Sequence, residues 1–361
     1  MKAMLLAAGF GRRLLPITLT RAKPTLPFLH RPLLLRQLDY LQANGITQVV
    51  INTHHQPRSV EELLVQAADR SSGEGPLVVG ELSVGISHEP ERLGTSGGLW
   101  GAAGRLRGHG TILCINSDMI TGIDLAAALA KHRRLGRAAS LVLVPWRQGC
   151  TDTQVHHAQG LLTGFVQPGR AGDVAVPTGG ATGDPPGIFT GIHFLEEETL
   201  DRLPPGRSEF LPDLYLPMLA AGDPPGVIMT TETWMEVGTP SRYLDAQLTA
   251  QQSPAPPGHR PWIVAGRPAS PVAPAALLGD DVIMDSTVKF QAGASATRSL
   301  LMERVRMGAG SHLHEVIAGP DTCIPAGLDI SRAVLAPMSG IPAEDLPDNV
   351  RLWEGMLRAD F

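Results

Sequence analysis

Between Met1 and Asp39 the chain carries Lys2, Arg12, Arg13, Arg21, Lys23, Arg31 and Arg36 and no carboxylate. Within that stretch Gly9 and Gly11 flank Phe10 directly after the apolar run MLLAA. Glycines let a backbone approach a ligand closely, and successive backbone N–H groups form a concave anion site. Arginine and lysine add charge-assisted hydrogen bonds. The combination suits a triphosphate. A dinucleotide-binding turn is the rival reading of the same glycines, and it fits poorly. The third glycine of G-x-G-x-x-G would fall at Leu14, and the acid expected about 20 residues on is replaced by Thr25 and Leu26. Pro16, Pro24 and Pro27 predict a rigid, extended loop rather than a helix.

These residues need elements to position them. AMLLAAG reads as a buried parallel strand ended by glycine, and ITQVVINTHH, TILCINSDM and ASLVLVPW read as further strands. RPLLLRQLDYLQANG predicts a helix with Leu34, Leu38 and Leu41 on one face and Gly45 as its C-cap; AAALAKHRRLG predicts another, ended by Gly136. Such alternation implies right-handed crossovers and a parallel sheet covered on both faces. Ligands of these sheets bind beyond the carboxyl ends of the strands. Gly9, the pair His54–His55 and Asp118 fall there. The expected class is α/β, a Rossmann-like and mostly parallel sheet over residues 1–250. The Gly/Pro-rich segment 168–187 predicts a loop, and the Pro-rich segment 251–274 predicts a linker.

Beyond the linker the pattern changes. VKFQAG ends at Gly293, VRMGAG at Gly310 and CIPAG at Gly327, an apolar-x-apolar unit that recurs with one period. That period is about three hexapeptides, one coil of a parallel β-helix, over residues 275–361. A small antiparallel β domain is the alternative.

The chain has 361 residues and a net charge of −5, which argues against bulk binding to nucleic acid. No apolar run reaches the ~18 residues of a membrane span, and MLLAAG is too short for a signal peptide. Cys114, Cys150 and Cys323 are isolated and odd in number, as expected of reduced cytoplasmic thiols.

The opening stretch LAAGFGRRLLPITLTRAKPTLPF resembles the signature of the sugar-1-phosphate nucleotidyltransferases, also called nucleotide-sugar pyrophosphorylases. The likeness continues in order through HRPLLLRQLDYLQANGITQVVINTHH, SHEPERLGTSGGL, CINSDMI, FTGIHFL and WMEVGTPSRYLDA. It is closest in pattern to members like the mannose-1-phosphate guanylyltransferases, with a C-terminal left-handed β-helix. The resemblance implies a nucleotide site at Leu6, Ala7, Ala8, Gly9, Gly11, Arg12 and Arg13, with Glu89, Gly94 and Thr95 at the base. It implies catalytic roles for Arg13 and Lys23 on the triphosphate. It places Asn116 and Gly191 at the sugar phosphate, and Asp118 and Glu236 at a Mg2+ ion. Two positions depart from the family pattern. Glu236 stands where an aspartate is usual, and Val166-Gln167-Pro168 replaces Glu-Lys-Pro, which leaves Arg170 as the candidate phosphate cation.

The expected activity is Mg2+-dependent joining of a nucleoside triphosphate to a sugar-1-phosphate with release of pyrophosphate. A carboxylate only accepts hydrogen bonds, and guanine offers N1–H and N2–H side by side, so Glu89 favours GTP, with mannose-1-phosphate or a related hexose or heptose phosphate. A UTP- or dTTP-dependent glucose-1-phosphate enzyme is one alternative. A regulatory scaffold that binds nucleotide sugars without turnover is another, and Glu236 is the feature that favours it. His54 and His55 are expected to pack at a strand end, and His312 and His314 to have no catalytic role. The flat faces and open coil ends of a β-helix predict a homo-oligomer.

Overall fold

The computed structural model describes residues 1–69, 76–166, 183–262, 277–279, 281–338 and 342–361. Arg170, Gln167, Pro168 and the expected linker from residue 263 lie outside the described residues. The chain forms two compact units that interleave along the sequence: Met1–Gly9, Gln37–Trp234 and Pro256–His259 in one, and Phe10–Arg36, Met235–Ala255 and Arg260–Phe361 in the other.

The first unit is built on a ten-stranded sheet. Its strands are β1 (Lys2–Leu6), β2 (Gln48–Thr53), β3 (Leu77–Val79), β4 (Leu82–His88), β5 (Ile112–Asn116), β6 (Ala139–Pro145), β7 (Gln154–Ala158), β8 (Leu161–Val166), β9 (Gly187–Leu195) and β10 (Gly226–Met229). They lie in the order β7-β8-β10-β6-β9-β5-β1-β2-β4-β3. β1 sits inside because Ala3, Met4 and Leu5 are apolar on both faces and fully buried. It pairs in parallel with β2 and β5, and Leu6 lies opposite both Asn52 and Asn116. That register brings the loops after all three strands to one edge. The helix Leu33–Ala43 closes as expected: Gly45 has φ 76°, its N–H donates to Gln42 O and that of Ile46 donates to Leu41 O.

The sheet is mixed, not mostly parallel. β9 runs antiparallel between β5 and β6. In sequence it follows the antiparallel pair β7–β8.

In the second unit short strands stack in parallel. β11 (Leu277–Leu278), β14 (Ser295–Thr297), β17 (His312–Ala318) and β19 (Asp329–Pro337) form one row. β12 (Val282–Met284) pairs with β15 (Ser299–Leu301), which pairs with β17. β13 (Lys289–Phe290), β16 (Arg306–Met307) and β18 (Cys323–Ile324) form a third row. Partners such as Ser295, His312 and Asp329 repeat at the expected period, in parallel pairings. Val288, Val305, Met307, Leu313 and Ile330 fill the interior. One corner of each coil carries a charged residue at positive φ: Arg298 (42°), Glu315 (54°) and Arg332 (49°). They form an ion ladder, with Glu315 3.2 Å from each arginine. The last coil is not left open. β20 (Arg351–Trp353) and β21 (Met356–Asp360) form a hairpin, and β21 covers β19 in antiparallel fashion.

The cationic loop belongs to this second unit. It is not extended: three 3-10 turns, Arg12–Leu14, Ile17–Leu19 and Lys23–Thr25, coil it up. Leu15 packs with Ala336 of the last coil and with Val350, Leu357 and Ala359 of the segment and hairpin that follow it. Ile17 lies so close to Gly319 that a Cβ there would come within 3.1 Å of its Cγ1. The N–H of Leu29 donates to Gln247 Oε1 at 3.0 Å, and the hydroxyl of Tyr243 donates to Pro27 O.

The core of the first unit also buries His193 on β9, hydrogen-bonded to Tyr215 and packed edge-on against Phe210 at 4.3 Å. Burial holds its pKa down, from 6.5 to about 3. The folded state therefore keeps the ring neutral while the unfolded chain takes up a proton. Stability from this group is full above about pH 6.5 and is lost as pH falls toward about 3. Urea midpoints at about pH 7.5 and about pH 5 should show a drop in the wild type that His193→Gln reduces. Equal drops in both proteins would contradict the assignment.

Candidate functional site

At the carboxyl edge of the first unit a buried polar chain ties three loops together. The N–H of Ala7 donates to Asn52 Oδ1 at 2.7 Å. Asn52 Nδ2 donates to Glu89 Oε1 at 2.6 Å, and the N–H of Leu93 donates to Glu89 Oε2 at 3.0 Å. Asn52 and Glu89 are each only 2% exposed. The helix Gly94–Gly101 closes over them with no side chain at Gly98, where a Cβ would stand 2.6 Å from Asn52 Nδ2 and 2.7 Å from Glu89 Oε1. Expected to face a base, Glu89 is instead a brace. Each of its oxygens already accepts a hydrogen bond, and almost none of its surface meets solvent. The expectation failed because a sequence motif does not show which way a side chain turns.

Gly94 and Thr95 turn toward a residue the sequence reading missed. Glu209 Oε2 accepts from the Thr95 N–H at 3.0 Å and from its hydroxyl at 2.7 Å. Gly94 has φ 81°, and a Cβ there would lie 2.4 Å from Ser208 O. Asn52 was also missed; an asparagine inside the apolar strand VVINT was the available signal.

Asn116 and Gly191, both expected at the sugar phosphate, lie side by side. Gly191 has φ 82° at an irregularity in β9, and a Cβ there would meet Asn116 Nδ2 at 2.6 Å. Asp118 follows Asn116 by two residues and is half-buried at the same edge. Leu6 O accepts from the Ser117 N–H at 3.1 Å, which ties this turn to the end of β1. His54 packs at the strand end, its Nδ1 2.9 Å from Glu89 O.

In the second unit Gly11 takes φ 64°, and Thr18 donates its hydroxyl proton to Gly11 O at 3.0 Å. A Cβ at Gly11 would reach Thr18 Cγ2 at 2.9 Å, whereas one at Gly9 would meet nothing within 4 Å. Gly11 is thus required by the fold of the loop, whereas the fold leaves room for a side chain at Gly9. The guanidinium of Arg12 lies 4.9 Å over the Phe10 ring. Lys23 is 7% exposed at the start of its turn. The carboxylate the loop lacks is brought to it by Glu236, whose Oε1 lies 3.4 Å from Arg13 Nη2 and whose Oε2 accepts from Arg242 Nη1. Arg242 is a further residue the sequence reading missed. Among the described residues no group of three or more histidine, cysteine or acidic side chains is arranged to hold a metal, and no helix is long and apolar enough to cross a membrane.

Comparison with known proteins places this geometry. Residues 2–151 match the nucleotidyl transferase family. The chain is 29% identical over 321 residues to the mannose-1-phosphate guanylyltransferase of Mycobacterium tuberculosis, covering 85% of this chain and 81% of that one. It is 26% identical over 333 residues to mannose-1-phosphate guanylyltransferase 1 of Arabidopsis thaliana, covering 88% and 86%. With the mannose-1-phosphate guanyltransferase of Schizosaccharomyces pombe it shares 29% over 279 residues, covering 75% and 69%. The crystal structure of HddC from Yersinia pseudotuberculosis superposes with a TM-score of 0.55 at 18% identity, over 69% of this chain and 98% of that one, a likeness of fold. Residues 2–151 therefore form a nucleotidyl transferase domain of an enzyme whose similarity to mannose-1-phosphate guanylyltransferases extends over most of the chain.

Proposed function

We propose that this enzyme transfers a guanylyl group from GTP to mannose-1-phosphate or a related hexose or heptose phosphate, releasing pyrophosphate. The observation that carries the reaction class is the acid-free cationic loop that directly follows β1. The choice of GTP and mannose-1-phosphate rests on the names of the relatives, since Glu89 is engaged elsewhere. A phosphate oxygen of the sugar phosphate attacks the α-phosphorus. One P–O bond forms, the bond to the bridging α–β oxygen breaks, and pyrophosphate carries the electron pair away. No covalent enzyme intermediate is needed, so catalysis reduces to positioning and charge neutralisation.

From the loop, the backbone at Gly11 and the side chains of Arg12, Arg13 and Lys23 are assigned to the triphosphate. From the strand ends, Leu6, Ala7, Ala8 and Gly9 offer backbone groups to the nucleotide. Gly9 would let a ligand approach where a side chain would intrude. Gly94 and Thr95 are assigned to the base through the backbone. Asn116, Gly191 and Arg170 are assigned to the sugar phosphate. The donor chemistry at the strand ends fits Mg2+: Asp118 supplies a hard carboxylate oxygen at the edge where phosphates are expected, and substrate oxygens commonly complete such a shell. Bound there, the ion would neutralise phosphate charge.

The division into a catalytic domain over 1–250, a linker and a C-terminal domain, a left-handed sense for the coils, self-association through their flat faces and a cytoplasmic location are parts of the same proposal. The hairpin over the last coil leaves a face, not that coil end, as the surface for a second copy.

The test is pyrophosphate release over a panel of GTP, UTP, dTTP, ATP and CTP with mannose- and glucose-1-phosphates. GTP with mannose-1-phosphate should give the highest kcat/KM. A tenfold preference for UTP or dTTP, about 1.4 kcal/mol, would overturn the guanine assignment. The same panel tests the brace. Glu89→Gln places a donor amide against one of two donors, Asn52 Nδ2 or the Leu93 N–H, and should cost about 1.5–3 kcal/mol of stability. Its kcat/KM should fall by a similar factor for every nucleotide. A change in the ranking of the nucleotides would return Glu89 to the base.

A further inference from the structure

We infer that Glu236 is an anchor for two phosphate-binding arginines, Arg13 and Arg242, and not a Mg2+ ligand. The inference rests on the nucleotidyl-transfer reading above and assigns Arg242 to the pyrophosphate portion of the nucleotide. Each oxygen of Glu236 faces its own guanidinium, Oε1 that of Arg13 at 3.4 Å and Oε2 that of Arg242. The carboxylate is 18% exposed. The main chain makes room for it: a Cβ on Gly238 would lie 1.7 Å from Oε1 and 2.5 Å from Arg13 Nη2. Arg242 is itself held in the first turn of the helix Pro240–Gln251, where Thr239 caps the helix by accepting from the Arg242 N–H at 3.3 Å.

With one guanidinium on each oxygen, the carboxylate is already engaged by cations, which disfavours a divalent ion beside it, while arginine N–H groups suit phosphate. A flexible arginine loses rotamer freedom when fixed, and a carboxylate that holds it in advance removes part of that loss from ligand binding. Glutamate rather than aspartate follows from reach. The additional methylene lets one carboxylate meet arginines that arrive from the loop and from the helix.

Glu236→Asp tests this because it keeps the charge and shortens the arm. The probe is inorganic pyrophosphate, titrated calorimetrically into the full chain in EDTA, where no metal ligand can contribute. We expect Glu236→Asp and Arg242→Ala to weaken pyrophosphate binding threefold or more, with thermal midpoints near that of the wild type. In turnover assays the Mg2+ concentration for half-maximal rate should be unchanged by Glu236→Asp and raised by Asp118→Asn. Metal-free binding by Glu236→Asp within threefold of wild type, or a changed Mg2+ requirement in that variant, would overturn the anchor role and leave the nucleotidyl-transfer reading intact. Failure of the wild-type protein to bind pyrophosphate would overturn the phosphate-loop reading beneath it.

Discussion

A positively charged loop with no acid of its own cannot hold its shape by ion pairs within itself. Residues 10–36 carry six cations and no carboxylate, and at close range these charges repel one another. Besides the ion pair from Arg13 to Glu236, the structure meets that constraint with apolar and hydrogen-bonded contacts. Leu15 enters the apolar cluster of the last coil and the hairpin that follows it, Ile17 lies against Gly319, and Gln247 and Tyr243 take up backbone groups of Leu29 and Pro27. The fully buried Arg36 is held in part by backbone carbonyls and a ring. Its Nε donates to Phe28 O at 2.7 Å and its Nη2 to Leu29 O at 2.9 Å, and its guanidinium lies 4.6 Å over the Trp262 ring. Because the seat is apolar and hydrogen-bonded, the loop can be ordered and still present cations to an anion. The C-terminal coils are thereby part of the machinery that shapes the loop.

The strand ends face the opposite problem, a buried negative charge. Burying an ionised carboxylate is costly unless it is well hydrogen-bonded. Glu89 meets that condition with two donors, one from Asn52 and one from the backbone at Leu93. Asn52 passes the constraint on to Ala7, so the end of β1 is tied to that carboxylate. Gly98 is fixed by the same packing. One polar chain therefore explains three sequence features that a motif reading treats separately: an asparagine in an apolar strand, an acid before the small-residue helix and a glycine inside that helix.

Much of this was legible in the sequence because it is set by local physics. The strands around Met4, Val50 and Cys114, the helix caps at Gly45 and Gly136 and the repeat through Gly293, Gly310 and Gly327 follow from burial and backbone preference. What escaped was non-local. Nothing near β9 in the sequence says that it enters the sheet antiparallel. Prolines at positions 16, 24 and 27 forbid a long helix, yet they are compatible with the short 3-10 turns that form. The burial of Glu89 depends on Asn52 across the sheet, and the pairing of Arg13 with Glu236 spans more than half the chain. The positive φ angles of Arg298, Glu315 and Arg332 were hidden because the corners use charged residues linked across coils where glycine would have signalled the turn.

The central claim is that the loop from Phe10 to Arg36 exists to hold a triphosphate. Calorimetric titration of the full chain with GMP, GDP and a non-hydrolysable GTP analogue tests it most directly, with Lys23→Ala in parallel. The account predicts that affinity rises at each added phosphate and that Lys23→Ala removes most of the gain from GMP to the triphosphate. Equal affinity for the three nucleotides, or a gain that survives Lys23→Ala intact, would contradict it.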